Sequence, residues 1–421
     1  MSQLSSVPEN YEADPTISHI LEQLRSDDPS PILITGEAGT GKSTLVNYIK
    51  SQGEFANTAV LAPTGVAALN IGGQTIHSFF RFPFQVIDEN ALADQRKNRL
   101  WKKVKFIIID EISMVRADML DGIDIILRKA QDSRLPFGGC RILLVGDFYQ
   151  LPPVIPSQEK AILAQMGYEG PYAYNANVLE NYPPVHFELS KVYRQRDERF
   201  VKILSNLRLS QNVESAVRDL NDICVKPHRE GQTPVLLTST NAIADRYNRQ
   251  GLGDLTSAPF EYESVTKGRF NEKRAPVPAK LVLKKGARVM AVKNDPLKRW
   301  VNGSLGTITD LTKDEVYVKF DSGHAVRKIE AATWEAINYK WNEIEQKMEE
   351  EASATFEQMP LILAWAVTIH KAQGLTLSDV RVDMGRGAFA PGQAYVALSR
   401  AQTLEGLSLT TPLNVSDIKF G

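Results

Sequence analysis

The chain has 421 residues, of which 43% are hydrophobic and 24% charged, a composition typical of a soluble globular protein with two or three domains. Its formal net charge is −1, so a nucleic-acid surface would have to be a local basic patch. Two cysteines, Cys140 and Cys224, exclude a disulfide framework and a cysteine-based metal site. The longest apolar run, residues 361–367, is too short to cross a membrane, and the polar residues 1–15 lack the core of a secretory signal.

The strongest signal is GEAGTGKS at residues 36–43, which fits G-x-x-x-x-G-K-[ST] at every fixed position. Residues 31–35 predict a buried strand before it, and residues 43–50 predict a helix after it. A glycine loop between a strand and a helix N-terminus binds phosphate, because free N–H groups and the helix dipole attract anions. Lys42 is expected to contact the β- and γ-phosphates, and the Ser43 hydroxyl to bind Mg²⁺. The predicted nucleotide-binding residues here are Gly36, Ala38, Gly39, Thr40, Gly41, Lys42, Ser43 and Thr44.

Two later apolar segments end in residues that suit the same site. Residues 106–109 predict a buried parallel strand that carries Asp110 and Glu111 at its carboxyl end, where open α/β sheets bind ligands. Asp110 is expected to hold Mg²⁺, and Glu111 to orient and deprotonate the attacking water. Residues 141–145 predict another such strand, followed by Gln150. That amide either senses the γ-phosphate or caps a turn.

Residues 81–105 interrupt the alternation of strands and helices. The segment starts with Phe82-Pro83-Phe84 and ends in RKNRLWKKVK, where six of ten residues are basic. One interpretation is a nucleic-acid surface, in which aromatic rings stack on bases and cations hold the backbone. The other is a solvated helical face whose aromatic residues fill the domain core.

The second half of the chain has its own α/β pattern with an insertion. Arg194 is a candidate arginine finger, and apolar strands resume at residue 234. Short alternating strands and turns at residues 284–330 predict a small antiparallel β-barrel, closed by an acidic helix at residues 341–356. The α/β pattern returns at residue 361 and ends in a helix that presents Arg400.

These motifs resemble those of the PIF (petite integration frequency) family of superfamily-one DNA helicases, over residues 32–409. The most specific parts are GEAGTGKST, APTGVAALNIGGQTIHSFF, IIIDEISM, PFGGCRILLVGDFYQLPPV, VYRQRD, WVNGSLGTI, AWAVTIHKAQGLTL and AYVALSR. The resemblance implies two RecA-like α/β motor domains that use ATP and Mg²⁺ to move 5′-to-3′ on single-stranded DNA and unwind duplexes. Forks and other junctions, R-loops and G-quadruplexes all stay open as substrates.

The resemblance also assigns residues by matching position. The ATP-site residues are Lys42, Ser43, Asp110, Glu111, Gln150, Arg194 and Arg400, and the residues in motifs that the family places along DNA are Pro63, Thr64, His77, Thr368, His370 and Lys371. Gly374 is a further candidate at the ATP site, and Phe82, Phe84 and Asn302 are further candidates for DNA contact. The two histidines are alternatively buried core residues. The helix before the phosphate loop matches the adenine-reading glutamine motif of the family poorly, so Gln23 is only one candidate for that role.

The predicted organisation follows from these matches. Residues 1–30 form a tail and helix, 31–80 and 106–200 the first motor domain, and 81–105 an inserted wedge. Residues 201–283 and 359–421 form the second motor domain, with the barrel and acidic helix at 284–358. The compact chain favours a bacterial or phage protein in the cytoplasm, with nucleus and mitochondrion open. The expected active form is a monomer. The alternative function is an ATPase that binds single strands without processive unwinding.

Overall fold

The computed structural model describes residues 14–52, 55, 57–83, 85–88, 92, 98–195, 197–226, 234–268, 270, 275–321, 323–345, 347–385 and 387–419. They divide into two compact units. The first comprises the described parts of Met1–Phe148, Pro152–Lys191 and Glu335–Ser353, and the second those of Tyr149–Leu151, Val192–Trp334 and Ala354–Gly421. The boundary after Lys191 precedes the predicted one at residue 200. Within the described residues, no helix combines the length and the apolar character that a membrane crossing needs.

The first unit is built on a parallel sheet. Its strands are β1 (Ile32–Gly36), β2 (Thr58–Ala62), β3 (Gln74–Thr75), β4 (Phe106–Ile109), β5 (Arg141–Val145) and β6 (Val185–Leu189). Over the described residues their order is β3-β2-β4-β5-β1-β6. The register pairs Ile32 with Leu143 and Ile107 with Ile142. The central strands are buried because helices cover the sheet, as parallel sheets require.

Eight helices of the described residues connect or flank these strands. They are α1 (Pro15–Arg25), α2 (Lys42–Ser51), α3 (Gly65–Ile71), α4 (Ile76–Phe80), α5 (Arg99–Lys103), α6 (Ala117–Gln131), α7 (Ser157–Gln165) and α8 (Asn177–Asn181). Helix α1 shows why such segments form. The Asp14 side chain accepts a hydrogen bond from the Thr16 N–H, and Ile17, Ile20, Leu21 and Leu24 are buried along one stripe.

The second unit contains a smaller parallel sheet. Its strands are β7 (Val235–Thr238), β18 (Ala366–Thr368), β19 (Val380–Asp383) and β20 (Leu407–Leu409). Their order over the described residues is β18-β7-β19-β20. The helices of this unit are α9 (Glu198–Arg208), α10 (Val213–Cys224), α11 (Asn241–Gly253), α12 (Ile369–Ala372) and α13 (Gln393–Leu398). Two α/β units with parallel sheets confirm the predicted fold class.

An antiparallel sheet is inserted between β7 and β18. It comprises β11 (Arg288–Ala291), β12 (Leu305–Leu311), β13 (Val316–Phe320), β14 (Val326–Ile329) and β17 (Leu361–Leu363). The described strands lie in the order β14-β13-β12-β11-β17, around a core that includes Val289, Ile308 and Val318. The strands that alternation predicted are therefore present. Three further strands precede them: β8 (Phe260–Glu263), β9 (Val265–Gly268) and β10 (Lys280–Leu283).

The predicted acidic helix at residues 341–356 is wrong. The chain forms two long strands there, β15 (Ala332–Asn342) and β16 (Lys347–Gln358). Met348, Ala354 and Phe356 are buried at even positions of β16, whereas its acidic residues stand mainly at odd ones. That period of two fits a strand. Opposite charges also pair across the hairpin, as between Lys340 and Glu351.

Candidate active site and nucleic-acid interface

The loop between β1 and α2 has a backbone that only glycine accommodates readily. Gly39 and Gly41 both have φ of 88°, in the left-handed region that side chains disfavour. A Cβ on Gly36 would lie 2.7 Å from Thr40 Oγ1 and 2.6 Å from the Leu189 carbonyl oxygen. Strand, loop and helix therefore form the predicted phosphate loop.

Lys42 lies in the first turn of α2, and its side chain folds over the loop. Its Nζ donates hydrogen bonds to the carbonyl oxygens of Gly36, at 2.7 Å, and Glu37, at 2.9 Å. Thr40 Oγ1 donates to the same Glu37 carbonyl at 2.9 Å. Ser43 follows on the helix and is exposed. The ammonium group and the hydroxyl thus stand beside the glycine loop, where a nucleotide needs them.

Asp110 and Glu111 form a tight acidic turn directly after β4. The Glu111 N–H donates to Asp110 Oδ1 at 2.9 Å, and Glu111 has φ of 53°, a left-handed conformation that costs about 1–2 kcal/mol for a residue with a side chain. Burial, and secondly the charge of Glu111, raise the pKa of Asp110 to about 7. The hydrogen bond from Glu111 and the positive charge of Lys42 oppose that rise. The acid pair and the phosphate loop therefore share one electrostatic environment.

The end of β5 fits closely against this acidic turn. A Cβ on Gly146 would lie 2.9 Å from both the backbone nitrogen and Cγ2 of Ile112. Glycine at this position lets two strand ends approach, so that the residues after β4 and β5 meet at one edge of the sheet.

The donor set suits Mg²⁺ with ATP. Ser43 and Asp110 supply a hydroxyl and a carboxylate, the hard oxygen ligands that Mg²⁺ takes alongside phosphate oxygens. Asp110 is crowded by Glu111 and carries a raised pKa, which a divalent cation would relieve. When bound, the metal would neutralise phosphate charge. With the metal present, Asp110 would be ionised, the phosphate loop and Lys42 would bind the phosphates, and the Glu111 carboxylate would lie next to Asp110.

The second unit brings Arg194, Gly374 and Arg400 together. Arg194 donates from Nη1 to the Ser399 carbonyl and from Nη2 to the Gly374 carbonyl, both at 3.3 Å. Arg400 is only 1% exposed, and its guanidinium donates to the Val396 carbonyl at 2.9 Å and Ser399 Oγ at 2.8 Å. The structure therefore clusters these residues, but it places Arg400 in the interior of the unit. Their contact with a nucleotide stays a prediction.

Gln150 is buried, and its carbonyl packs against the start of α13. A Cβ added to Gly392 would collide with the carbonyl oxygens of Tyr149 and Gln150, so this approach requires glycine. Gln150 accordingly belongs to the second compact unit, with its neighbours in Tyr149–Leu151. The contact of its side chain with the γ-phosphate stays a prediction.

Gln195 is a residue that the sequence reasoning missed. Its Nε2 donates to the carbonyl oxygens of Ser399, at 3.1 Å, and Ala401, at 3.0 Å. The side chain is buried and holds the turn on both sides of Arg400. Its position next to the candidate arginine finger Arg194 could have indicated this role. Buried side-chain amides usually form hydrogen bonds with main-chain groups.

Predicted DNA-contacting residues of the first unit lie after β2 and on α4. Thr64 caps α3, with its Oγ1 accepting from the Ala67 N–H at 3.2 Å, and Pro63 precedes it half-buried. His77 is half-buried on α4. These residues sit at the same sheet edge as the acid pair, because β2 and β4 are parallel neighbours.

Those of the second unit lie mainly on α12. His370 is half-buried and Lys371 exposed, whereas Thr368 is buried and its Oγ1 accepts from the Lys371 N–H at 3.4 Å. Thr368 therefore caps the start of α12, and its contact with a strand stays a prediction. Asn302 is half-buried, in a loop whose Gly303 would place a Cβ 3.5 Å from Leu375 Cβ.

The predicted stacking of Phe82 on a base pair is wrong. Phe82 is 4% exposed and stacks on Phe80, with ring centroids 5.5 Å apart. Trp101 is also buried, and its Nε1–H donates to the Phe79 carbonyl at 3.2 Å. The aromatic residues thus fill the core, while Arg99 and Lys102 on α5 are exposed. Phe84, Arg96 and Lys97 lie outside the described residues.

The candidate adenine reader Gln23 already has a partner. Its side-chain Nε2 donates to Asp28 Oδ2 at 3.0 Å. The main-chain carbonyl of Gln23 accepts from the Ser26 hydroxyl at 2.8 Å. The side chain thus closes the turn after α1. Which residue reads the base remains an open prediction.

Known proteins are similar in sequence to this chain over nearly its whole length. The model of the PIF1-like helicase family matches residues 10–215. The ATP-dependent DNA helicase Pif1 of Bdellovibrio bacteriovorus is 35% identical over 94% of this chain and 88% of its own length. The chain belongs to the PIF1-like helicase family. The mouse ATP-dependent DNA helicase PIF1 is 33% identical over 89% of this chain, which spans only 57% of that longer relative.

Solved structures agree with this membership. The crystal structure of Bacteroides sp Pif1 in complex with ADP-AlF4 superposes with a TM-score of 0.87 at 35% identity, covering 96% of this chain and 93% of that one. Bacteroides Pif1 bound to single-stranded DNA superposes with a TM-score of 0.68 at 35% identity, covering 96% and 94%.

Proposed function

We propose that this PIF1-like helicase hydrolyses ATP to move 5′-to-3′ along single-stranded DNA and to separate the strands of a duplex. The observation that carries the proposal is the shared environment of Lys42, Asp110 and Glu111 beside the glycine loop. Such a set fits phosphoryl transfer, in which positioning and charge neutralisation supply most of the catalysis.

Each residue has a distinct role in this proposal. Lys42 and the loop amides bind the phosphates, Ser43 and Asp110 hold Mg²⁺, and the Glu111 carboxylate accepts the proton of the attacking water. Gln150, Arg194, Gly374 and Arg400 are proposed to bind the nucleotide from the second unit, with the arginines offsetting transition-state charge.

DNA binding is supported by a relative of known structure. The relative from Bacteroides binds single-stranded DNA. We propose the same ligand for this chain, at Pro63, Thr64, His77, Asn302, His370 and Lys371. Binding at forks and junctions, activity as a monomer and a cytoplasmic location also belong to the proposal.

The test compares ATP hydrolysis with strand separation. We expect single-stranded DNA to stimulate ATP turnover, and a duplex with a 5′ tail to be unwound while one with a 3′ tail is not. Glu111→Gln is the control: it should still bind ATP but lose turnover and unwinding, because only the base is removed.

Three outcomes would overturn parts of the proposal. Preference for the 3′-tailed duplex would reverse the polarity. Stimulated turnover without unwinding of either duplex would favour the second candidate, an ATPase that binds single strands without processive unwinding. Near-normal turnover in Glu111→Gln would remove that residue from its role.

A further inference from the structure

Phe389 presents an apolar ring to solvent. Its side chain is 58% exposed, and among the phenylalanines in the described part of the chain it is the one that ranks as exposed. It lies in the loop between β19 and α13. An exposed phenylalanine on its own is ordinary, so what surrounds it decides its meaning.

The backbone that carries this ring is fixed at several points. The Phe389 N–H donates to Gln393 Oε1 at 3.0 Å, and the Gln393 side chain is fully buried. The Gly387 N–H donates to the Met384 carbonyl, and the Gly392 N–H to the Lys419 carbonyl, each at 3.0 Å. The exposed ring therefore stands on an ordered support, which reduces the entropy lost on binding a partner.

A second ring lies parallel to it. The imidazole of His370 faces Phe389 with centroids 6.3 Å apart and an interplanar angle of 15°. Burial lowers the pKa of His370 below its ordinary value of 6.5, so the imidazole is mainly neutral near pH 7. Lys371, the next residue along α12, is exposed and carries a positive charge. Two flat rings beside one cation suit a base and its phosphate.

We infer that Phe389, together with His370, forms a stacking site for a base of single-stranded DNA, with Lys371 attracting the adjacent phosphate. The inference rests on the proposed function and adds to it a residue that neither motif nor family match assigned. Stacking does not distinguish bases, since every base has a π-face. The site therefore suits a motor that must bind any sequence.

The test measures affinity for two oligonucleotides without nucleotide present. One is an oligothymidylate, and the other has the same backbone with abasic positions. Phe389→Ala should bind the oligothymidylate about 5- to 150-fold more weakly than the unmodified protein, the effect of about 1–3 kcal/mol of stacking. Phe389→Trp should bind it at least as well as the unmodified protein. On the abasic strand, the Phe389→Ala variant and the unmodified protein should bind alike.

A matched control and a fold check make the result decisive. Tyr182 is another exposed aromatic residue, which lies over Arg128 in the first unit, and Tyr182→Ala should leave affinity unchanged. Thermal melting reports whether each variant is folded. Equal oligothymidylate binding by Phe389→Ala and the unmodified protein would overturn the inference and leave the helicase proposal standing. Failure of the unmodified protein to bind any single strand would instead overturn the helicase proposal.

Discussion

The adjacent carboxylates Asp110 and Glu111 put opposing demands on one short turn. Asp110 has a pKa of about 7 in the folded chain, against an ordinary 3.8. At pH values below 3.8, the Asp110 carboxyl is protonated in both the folded and the unfolded state. As the pH rises from about 4 to 7, only the unfolded state loses its proton freely, so the free energy of unfolding falls. The acid turn thus lowers the stability of the fold near neutral pH, a cost that the proposed Mg²⁺ site would explain.

Asp110→Asn should therefore raise the melting temperature at about pH 8 and change it little at about pH 4, in the absence of Mg²⁺. Melting curves across this range measure the effect. Adding Mg²⁺ with a nucleotide at pH 8 should stabilise the original protein more than the variant. A constant difference between the two proteins at every pH would show that Asp110 does not titrate in this range.

The two candidate arginine fingers differ in their surroundings, which predicts different variants. Arg194→Ala should lower kcat by about 10³-fold with little change in melting temperature, because its side chain is only half-buried and its hydrogen bonds to Ser399 and Gly374 are long. Arg400→Ala should lower both kcat and melting temperature, since removal of the buried guanidinium leaves its carbonyl partners without a hydrogen-bond donor. Steady-state kinetics and melting curves separate the effects. If Arg194→Ala keeps its turnover but loses DNA affinity, that arginine contacts the strand.

The roles of the phosphate-loop residues were predictable from the sequence. Glycines at this spacing, followed by a lysine, have phosphate binding as their main use. The acid pair was predictable for a similar reason, as carboxylates after a buried strand meet the loop at one edge. Gln195 and Phe389 were not. Their roles depend on partners roughly 200 positions away for Gln195 and about 19 for Phe389, contacts that local periodicity does not encode.

At the scale of elements, the insertion after α4 shows how ambiguous aromatic residues are. Phe82, Phe80 and Trp101 form a stacked group against α6, where a Cβ on Gly122 would lie 3.2 Å from Phe82 Cζ. Sequence alone does not distinguish a ring that stacks on DNA from one that fills a core, since both require a large flat apolar surface.

Phe82→Ala should therefore destabilise the fold by about 3–5 kcal/mol through lost burial and the cavity left behind. Chemical denaturation measures this. Phe82→Leu is the conservative control and should retain most of the stability. The opposite result, full stability in Phe82→Ala with selective loss of unwinding, would restore the wedge role of the ring.

The β15–β16 hairpin illustrates a second limit at this scale. Its acidic residues favoured a helix by composition, yet the buried residues Met348, Ala354 and Phe356 all stand at even positions of β16. The tip is held by contacts far along the chain: Tyr339 Oη accepts from the Val60 N–H at 3.1 Å, and the Met348 N–H donates to Asn57 Oδ1 at 2.9 Å. Tertiary contacts thus outweigh local preference here.

For the whole molecule, parallel α/β units and an inserted antiparallel sheet followed from the alternation of apolar segments. The boundary between units did not. Arg194 precedes α9, and both belong to the second unit because their contacts are with Ser399 and Gly374 and with α13. A boundary read from strand order alone misses such returns of the chain.

The chain has a net charge of −1, so long-range attraction of the whole molecule to DNA is negligible, and binding must depend on local cations such as Lys371. Affinity for single strands should nevertheless fall linearly on a log–log plot as salt rises, because each neutralised phosphate releases counterions, with a slope of about −0.7 per contact.

Lys371→Ala should reduce the steepness by about one such contact, whereas Lys160→Ala, which changes an exposed lysine on α7, should not. Phe389→Ala should weaken binding at every salt concentration without changing the slope, since it removes stacking and no charge. A salt-independent affinity would show that the chain has no basic path for a strand, and equal slopes for the two lysine variants would remove Lys371 from that path.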